Sequence, residues 1–157
     1  MKALPIFIVG FTGVGKTTYG RQLAKTLHVP FYDLDECIEA QERKTITEIF
    51  ASEGEDAFRI IESKVLEGLL DKQAVISCGG GTACFHSNME RMNKHGHTIW
   101  LKASAETIFK NLMGTDLHLR PLLKHTTEHE VKEWILSTFK EREPYYAMAN
   151  EQLLIAE

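Results

Sequence analysis

The sequence predicts an α/β fold in three layers: a central parallel sheet of about five strands, helices on both faces, and a mobile lid. Three observations predict it. Short apolar runs alternate with stretches of helical periodicity, the pattern of a parallel sheet whose strands are joined by crossover helices. The first run, LPIFIV at 4 to 9, is apolar throughout, as a strand covered on both faces requires. It leads directly into GFTGVGKTT at 10 to 18, a glycine-rich turn, before a helical pattern starts. At 157 residues the chain suits one domain, 1 to 157, with a core of its own.

The elements follow in order. Residues 16 to 27 show helical periodicity through Tyr19, Leu23, Ala24 and Leu27. Residues 29 to 33 form a second short strand that ends in DLD, and a helix is expected from about residue 36. Thr45, Ile46, Thr47 and Glu48 have capping-box spacing, with Thr45 as N-cap and Glu48 reaching back. They open a helical region to about residue 70, with a break at Gly54. AVISC at 74 to 78 is a third strand and ends in Gly79, Gly80 and Gly81. HTIWLKA at 97 to 103 is a fourth. Helices follow at about 104 to 113 and 127 to 142, and QLLIA is the last strand. Between those two helices, GTDLHLRPLLKHTTEHE mixes glycine, proline, histidine and charge, and is the expected mobile segment.

Composition narrows the function. Net charge is -4 and the sequence pI about 6.0, without the basic face of a general nucleic-acid binder. An anionic ligand must therefore be held by a few local cations. No apolar run approaches the length of a membrane span. Three cysteines, Cys37, Cys78 and Cys84, lack CxxC spacing and fit reduced thiols in a cytoplasm. Cys78 reads as a small buried residue. The chain is expected to be cytoplasmic and monomeric, without nucleic-acid or membrane partners.

Gly10-x-x-x-x-Gly15-Lys16-Thr17 matches the phosphate-binding loop, or P-loop, between a strand and a helix as that motif requires. Glycines let the backbone curl so that its N–H groups face phosphate oxygens. The helix N-terminus adds the positive end of its dipole. Lys16 supplies a full charge to the β- and γ-phosphates, and the Thr17 hydroxyl is a hard oxygen ligand for Mg²⁺. The expected nucleotide contacts are Gly13, Val14, Gly15, Lys16, Thr17 and Thr18. At average residue usage this spacing arises by chance in about one chain of this length in 200.

A GTPase would need a base-reading NKxD, which Asn93-Lys94-His95 does not match. Asp33 and Asp35 follow the second strand and share a face if that strand continues. There a carboxylate can meet both a metal and an acceptor hydroxyl, or one of the pair can cap the next helix. Arg59 and Glu62, at i and i+3, read either as a surface ion pair or as a guanidinium oriented for a carboxylate ligand. Three glycines at 79 to 81 expose backbone N–H groups and admit a ligand close to the main chain. Arg120 either closes over the phosphates or is a solvated loop charge. Arg142 follows a helix and reads in the first place as a charge favoured by its C-terminal dipole. His125 and His129 are four apart but lack a third ligand for zinc.

Taken in order, GFTGVGKTT, GRQLA, FYDLD, TITEIFASEGEDAFRIIE, ISCGGG, LRPLL and REPYYAMA resemble the shikimate kinase family, small P-loop kinases of the nucleoside-monophosphate-kinase type. The resemblance runs across nearly the whole chain. It implies ATP and shikimate as substrates, with Mg²⁺, and shikimate 3-phosphate as product on the route to chorismate and aromatic amino acids. It implies that Arg59 and Arg142 bind the shikimate carboxylate, with Gly79, Gly80 and Gly81 beside them. It implies that Asp35 binds ring hydroxyls and orients, or takes the proton from, the attacking 3-hydroxyl. Asp33 would help hold Mg²⁺ through water, and Lys16 and Arg120 would neutralise charge on the transferred group. The substrate-binding helical segment would span about 34 to 62 and the lid about 114 to 125.

One departure is the end. The family's last strand is normally followed by an adenine loop and a final helix, whereas this sequence stops at LLIAE; the expectation is an adenine site lacking one wall or built from other residues. Two rivals remain: a P-loop kinase for another small hydroxy acid such as gluconate, and a silent nucleotide-binding regulator. Intact Lys16, Thr17, Asp33, Asp35 and Arg120 speak against the second.

Overall fold

A computed structural model describes residues 3 to 114 and 127 to 155. Five strands form one parallel sheet: β1 (Ile6–Val9), β2 (Phe31–Asp33), β3 (Val75–Ser77), β4 (His97–Lys102) and β5 (Glu151–Leu154). Their spatial order is β2-β3-β1-β4-β5. The all-apolar β1 lies at the centre, fully buried, with Ile6 opposite Val75 on one side and His97 on the other. The helices are α1 (Lys16–Leu27), α2 (Leu34–Glu42), α3 (Ile46–Glu67), α4 (Asn88–His95), α5 (Ala105–Met113) and α6 (Glu128–Tyr146). A short 3₁₀ turn, Thr82–Cys84, follows the triple glycine. No helix among the described residues is long and apolar enough to cross a membrane. The expected lid, Arg120 and His125 lie outside the described residues.

Local signals set several elements where the sequence puts them. Thr45 accepts from the Glu48 backbone N–H at 3.1 Å, and the Glu48 side chain returns to Thr45, the expected capping box. Gly54 kinks α3 at φ 87° and ψ 171°, a conformation that favours glycine. Cys78 is buried in the core.

Three expectations need correction. β2 starts at Phe31, and it does not continue past Asp33; α2 begins at Leu34. Asp33 and Asp35 therefore do not share a strand face. Asp33 is the N-cap, its Oδ1 accepting from the Glu36 N–H at 3.2 Å, while Asp35 sits in the first helical turn. The last helix does not stop at 142 but runs on to Tyr146. Pro144 lies in its final turn, where its missing N–H leaves the Lys140 carbonyl without a ladder donor, yet the helix continues and Ala147 N–H closes on the Glu143 carbonyl at 2.9 Å. Arg142 is thus a buried residue on the helix rather than a terminal surface charge.

Gly96 joins α4 to β4 and packs against the Pro5 carbonyl oxygen, which already accepts the His97 N–H at 2.9 Å. A methyl group at 96 would overlap that oxygen, and the oxygen cannot retreat without losing the bond that starts β4 beside β1. Gly96→Ala is expected to cost about 2 kcal/mol by overpacking. That lowers the melting temperature by about 6 °C for a chain of this size, measured by calorimetry.

Candidate active site

The cleft lies at the carboxyl ends of β1, β2 and β3, where open parallel sheets bind ligands. It has a volume of about 450 Å³ and is lined by Thr12, Gly13, Gly15, Lys16, Thr17, Thr18, Asp33, Asp35, Gly79, Gly80 and Asn111, among others. Nine expected site residues thus meet in one place.

On the nucleotide side, Gly10, Gly13 and Gly15 all take positive φ between β1 and α1. A Cβ on Gly10 would come within 2.6 Å of the Leu101 carbonyl oxygen, so only glycine lets the loop leave the sheet here. Gly15 is the N-cap of α1 and carries no side chain to occupy the helix N-terminus. The buried Lys16 ammonium donates to the carbonyls of Gly10 at 2.8 Å and Phe11 at 2.9 Å, bracing the loop from within. Val14 departs from the other loop residues. Its side chain is buried, and its N–H donates to the Phe11 carbonyl. Asn111 on α5 was not singled out by the sequence; it donates to the Gly13 carbonyl at 2.8 Å and borders the cleft. An asparagine ninety-eight residues away carries no local signal of that contact.

Asp33 divides its two oxygens. One caps α2; the other, Oδ2, accepts from the Thr17 hydroxyl at 3.2 Å. Two hard oxygen ligands therefore stand side by side below the loop, a donor set that suits Mg²⁺, which keeps several waters and takes one or two protein ligands. Among the described residues no group of three or more His, Cys, Asp and Glu side chains is gathered as a fuller metal cage.

Asp35 lies over Gly79, where a Cβ would stand 3.0 Å from its Oδ1. Burial pushes its carboxyl up to about 7. The charges of Glu62 and Asp33 push the same way, and Lys16 opposes them.

The acceptor side is built around the triple glycine, and two buried guanidinium groups flank it. Arg59 lies against Gly81, where a Cβ would stand 2.5 Å from its Nη2; Arg142 lies against Gly80, at 3.0 Å from Nη1. Arg59 and Glu62 are not the surface ion pair that spacing alone allows. They are 5% and 0% exposed and 3.1 Å apart. Glu62 also accepts from the buried Thr82 hydroxyl at 2.7 Å, and the partly exposed Glu55 pairs with Arg59 at 3.0 Å. Phe85 covers the Arg59 guanidinium at 4.3 Å. Arg142 differs. Phe11 and Trp134 hold it at 5.5 and 5.7 Å, and among the described residues no carboxylate pairs with it. A buried, unpaired guanidinium is costly unless a ligand anion completes it.

Comparison with known proteins decides what this arrangement is. A family model described as shikimate kinase matches residues 12–156. The chain belongs to the shikimate kinase family. A shikimate kinase of Azobacteroides pseudotrichonymphae is 43% identical over 147 residues, covering 92% of this chain and 86% of its own. The crystal structure of shikimate kinase from Bacteroides thetaiotaomicron superposes with a TM-score of 0.90 at 37% identity, covering 95% of this chain and 85% of that one. The shikimate kinase of Acinetobacter baumannii, solved in complex with shikimate, gives 0.89 at 32% identity, with 97% and 83% covered. Shikimate kinases transfer phosphate to a shikimate hydroxyl, and the fold here is theirs.

Proposed function

We propose that this protein transfers the γ-phosphoryl group of ATP to the 3-hydroxyl of shikimate, giving shikimate 3-phosphate and ADP for aromatic biosynthesis. The observation that supports the reading is a single cleft lined by the phosphate loop, Asp35, Gly79 and Gly80, with Arg142 packed against Gly80 and Arg59 against Gly81.

The geometry supports the following roles for the described residues, and the family resemblance supplies that of Arg120. Backbone N–H groups of the loop and the N-terminus of α1 receive the phosphates. Lys16 exchanges its loop carbonyls for phosphate oxygens, and Arg120 adds a second positive charge. Thr17 and Asp33 would hold Mg²⁺, which would supply charge neutralisation on the phosphates. Arg142 anchors the acceptor carboxylate. Arg59, already shared between Glu55 and Glu62, presents its remaining edge to the same group. Asp35 accepts the hydrogen bond of the attacking hydroxyl and takes its proton as the new oxygen–phosphorus bond forms and the bond from the γ-phosphorus to the bridging oxygen breaks, the electron pair leaving with ADP. Phosphoryl transfer depends mainly on such positioning and electrostatics. The segment 34 to 62, with α2 and the kinked first arm of α3, forms the outer wall of the acceptor side, and the whole chain works as one kinase domain with its lid at about 114 to 125.

The test is ADP release from Mg-ATP by purified protein, with and without shikimate. The expected result is release that depends on shikimate by at least a hundredfold and is lost on chelation of Mg²⁺. Equal release in the presence and absence of shikimate would overturn the reading.

A further inference from the structure

The last turn of α6 places a buried tyrosine beneath the acceptor side. Tyr146 has no exposed surface; its ring packs against Trp100 at 5.6 Å between centroids, and its hydroxyl donates to the Gly80 carbonyl at 2.5 Å. Arg142 is one helical turn earlier on the same face, and its charge acts on the same phenol oxygen. A guanidinium only donates hydrogen bonds, so the phenol oxygen turns its lone pairs toward Arg142 and its single proton goes to Gly80. Gly80 in turn lies against Arg142 and against the main chain of Thr12, where a Cβ would stand 3.0 and 3.1 Å from Nη1 and N. One hydroxyl therefore ties α6 to the triple glycine at the point where the unpaired guanidinium meets it.

We propose that Tyr146 is a positioning residue for the acceptor carboxylate: its hydroxyl fixes the Gly80 main chain and the Arg142 guanidinium in one geometry. The proposal rests on the shikimate kinase reading of the site. It explains why α6 runs on through Pro144, since the helix must reach 146 to put the hydroxyl under the glycine turn. It also separates Tyr146 from the neighbouring Tyr145, which is exposed.

Tyr146→Phe tests it, because the ring and its contact with Trp100 are kept and only the hydroxyl is lost. The expected result is a KM for shikimate raised about tenfold, with the KM for ATP and kcat within about twofold of the unaltered protein. Tyr146→Met, which also removes the hydroxyl and fills the space with an adaptable apolar chain, should give the same split and serves as the second variant should the first not fold. A tyrosine that only stabilises the core would lower the melting temperature and leave the two KM values unchanged or shifted together; either result overturns the proposal. Absence of shikimate-dependent ADP release from the unaltered protein would sink the functional reading and this inference together, whereas an active parent with no KM split in either variant sinks the inference alone.

Discussion

Asp35→Asn is expected to lower kcat by about a thousandfold while leaving ATP binding within a few-fold of the parent. Asparagine keeps the size of the side chain and one hydrogen-bond acceptor, but it cannot take a proton. Single-turnover phosphoryl transfer and nucleotide titration measure the two effects separately. Turnover within a few-fold of the parent would mean that Asp35 only orients the hydroxyl. The same substitution has a second consequence of opposite sign. Burial beside Glu62 and Asp33 raises the Asp35 carboxyl from 3.8 to about 7 in the nucleotide-free protein. The folded state then binds a proton that the unfolded state has released. Stability from this group is complete below about pH 4 and is lost as pH rises through 7. Asparagine has no such loss. At pH 8 the nucleotide-free variant should therefore be more stable than the parent, by on the order of 2 kcal/mol. Its melting temperature should be about 5 °C higher, and the gap should close toward pH 4. Melting curves across that range check it. A catalytic carboxylate held at a cost to the fold is what a functional site would show.

The parts of this molecule that sequence made legible are those whose cause is local. Apolar LPIFIV can only be a strand covered on both sides, and it is the central one. The glycine spacing, the capping box at Thr45 and the break at Gly54 each involve residues within a turn of one another, and each stands in the structure as expected. One misreading was local: Asp33 caps α2 through the Glu36 N–H, three residues on, where a continued strand was equally compatible with the residues. The others arose where long-range packing decides. The default reading of Arg142 as a charge favoured by a helix C-terminus gave way to burial, since α6 runs on to Tyr146. Asn111, Thr82 and Tyr146 act across 98, 20 and 66 positions, and only family resemblance or a fold brings such partners together. The same holds for Arg59 and Glu62. Their i, i+3 spacing is identical for a solvated pair and a buried one, and burial alone distinguishes the two.

That burial makes Arg59→Ala the second large effect, and it divides into two parts. Removing the guanidinium takes one anchor from the acceptor carboxylate, so the KM for shikimate should rise about a hundredfold with ATP affinity little changed. It also strands Glu62, which has no exposed surface and keeps only the Thr82 hydroxyl. An uncompensated buried charge of this kind costs about 3–5 kcal/mol. Glu55, whose side chain is partly exposed, can relax into water and adds little. The two losses separate in the double variant Arg59→Met with Glu62→Gln. Methionine refills the space under Phe85, and neutral glutamine still accepts from Thr82, so most of the stability should return. The shikimate KM should not, because no cation has been restored. Calorimetry and steady-state kinetics on the single and double variants decide the matter. Recovery of both together would show that Arg59 serves the fold and only indirectly the acceptor. Recovery of stability alone would show that the buried pair exists to hold a guanidinium at the glycine turn.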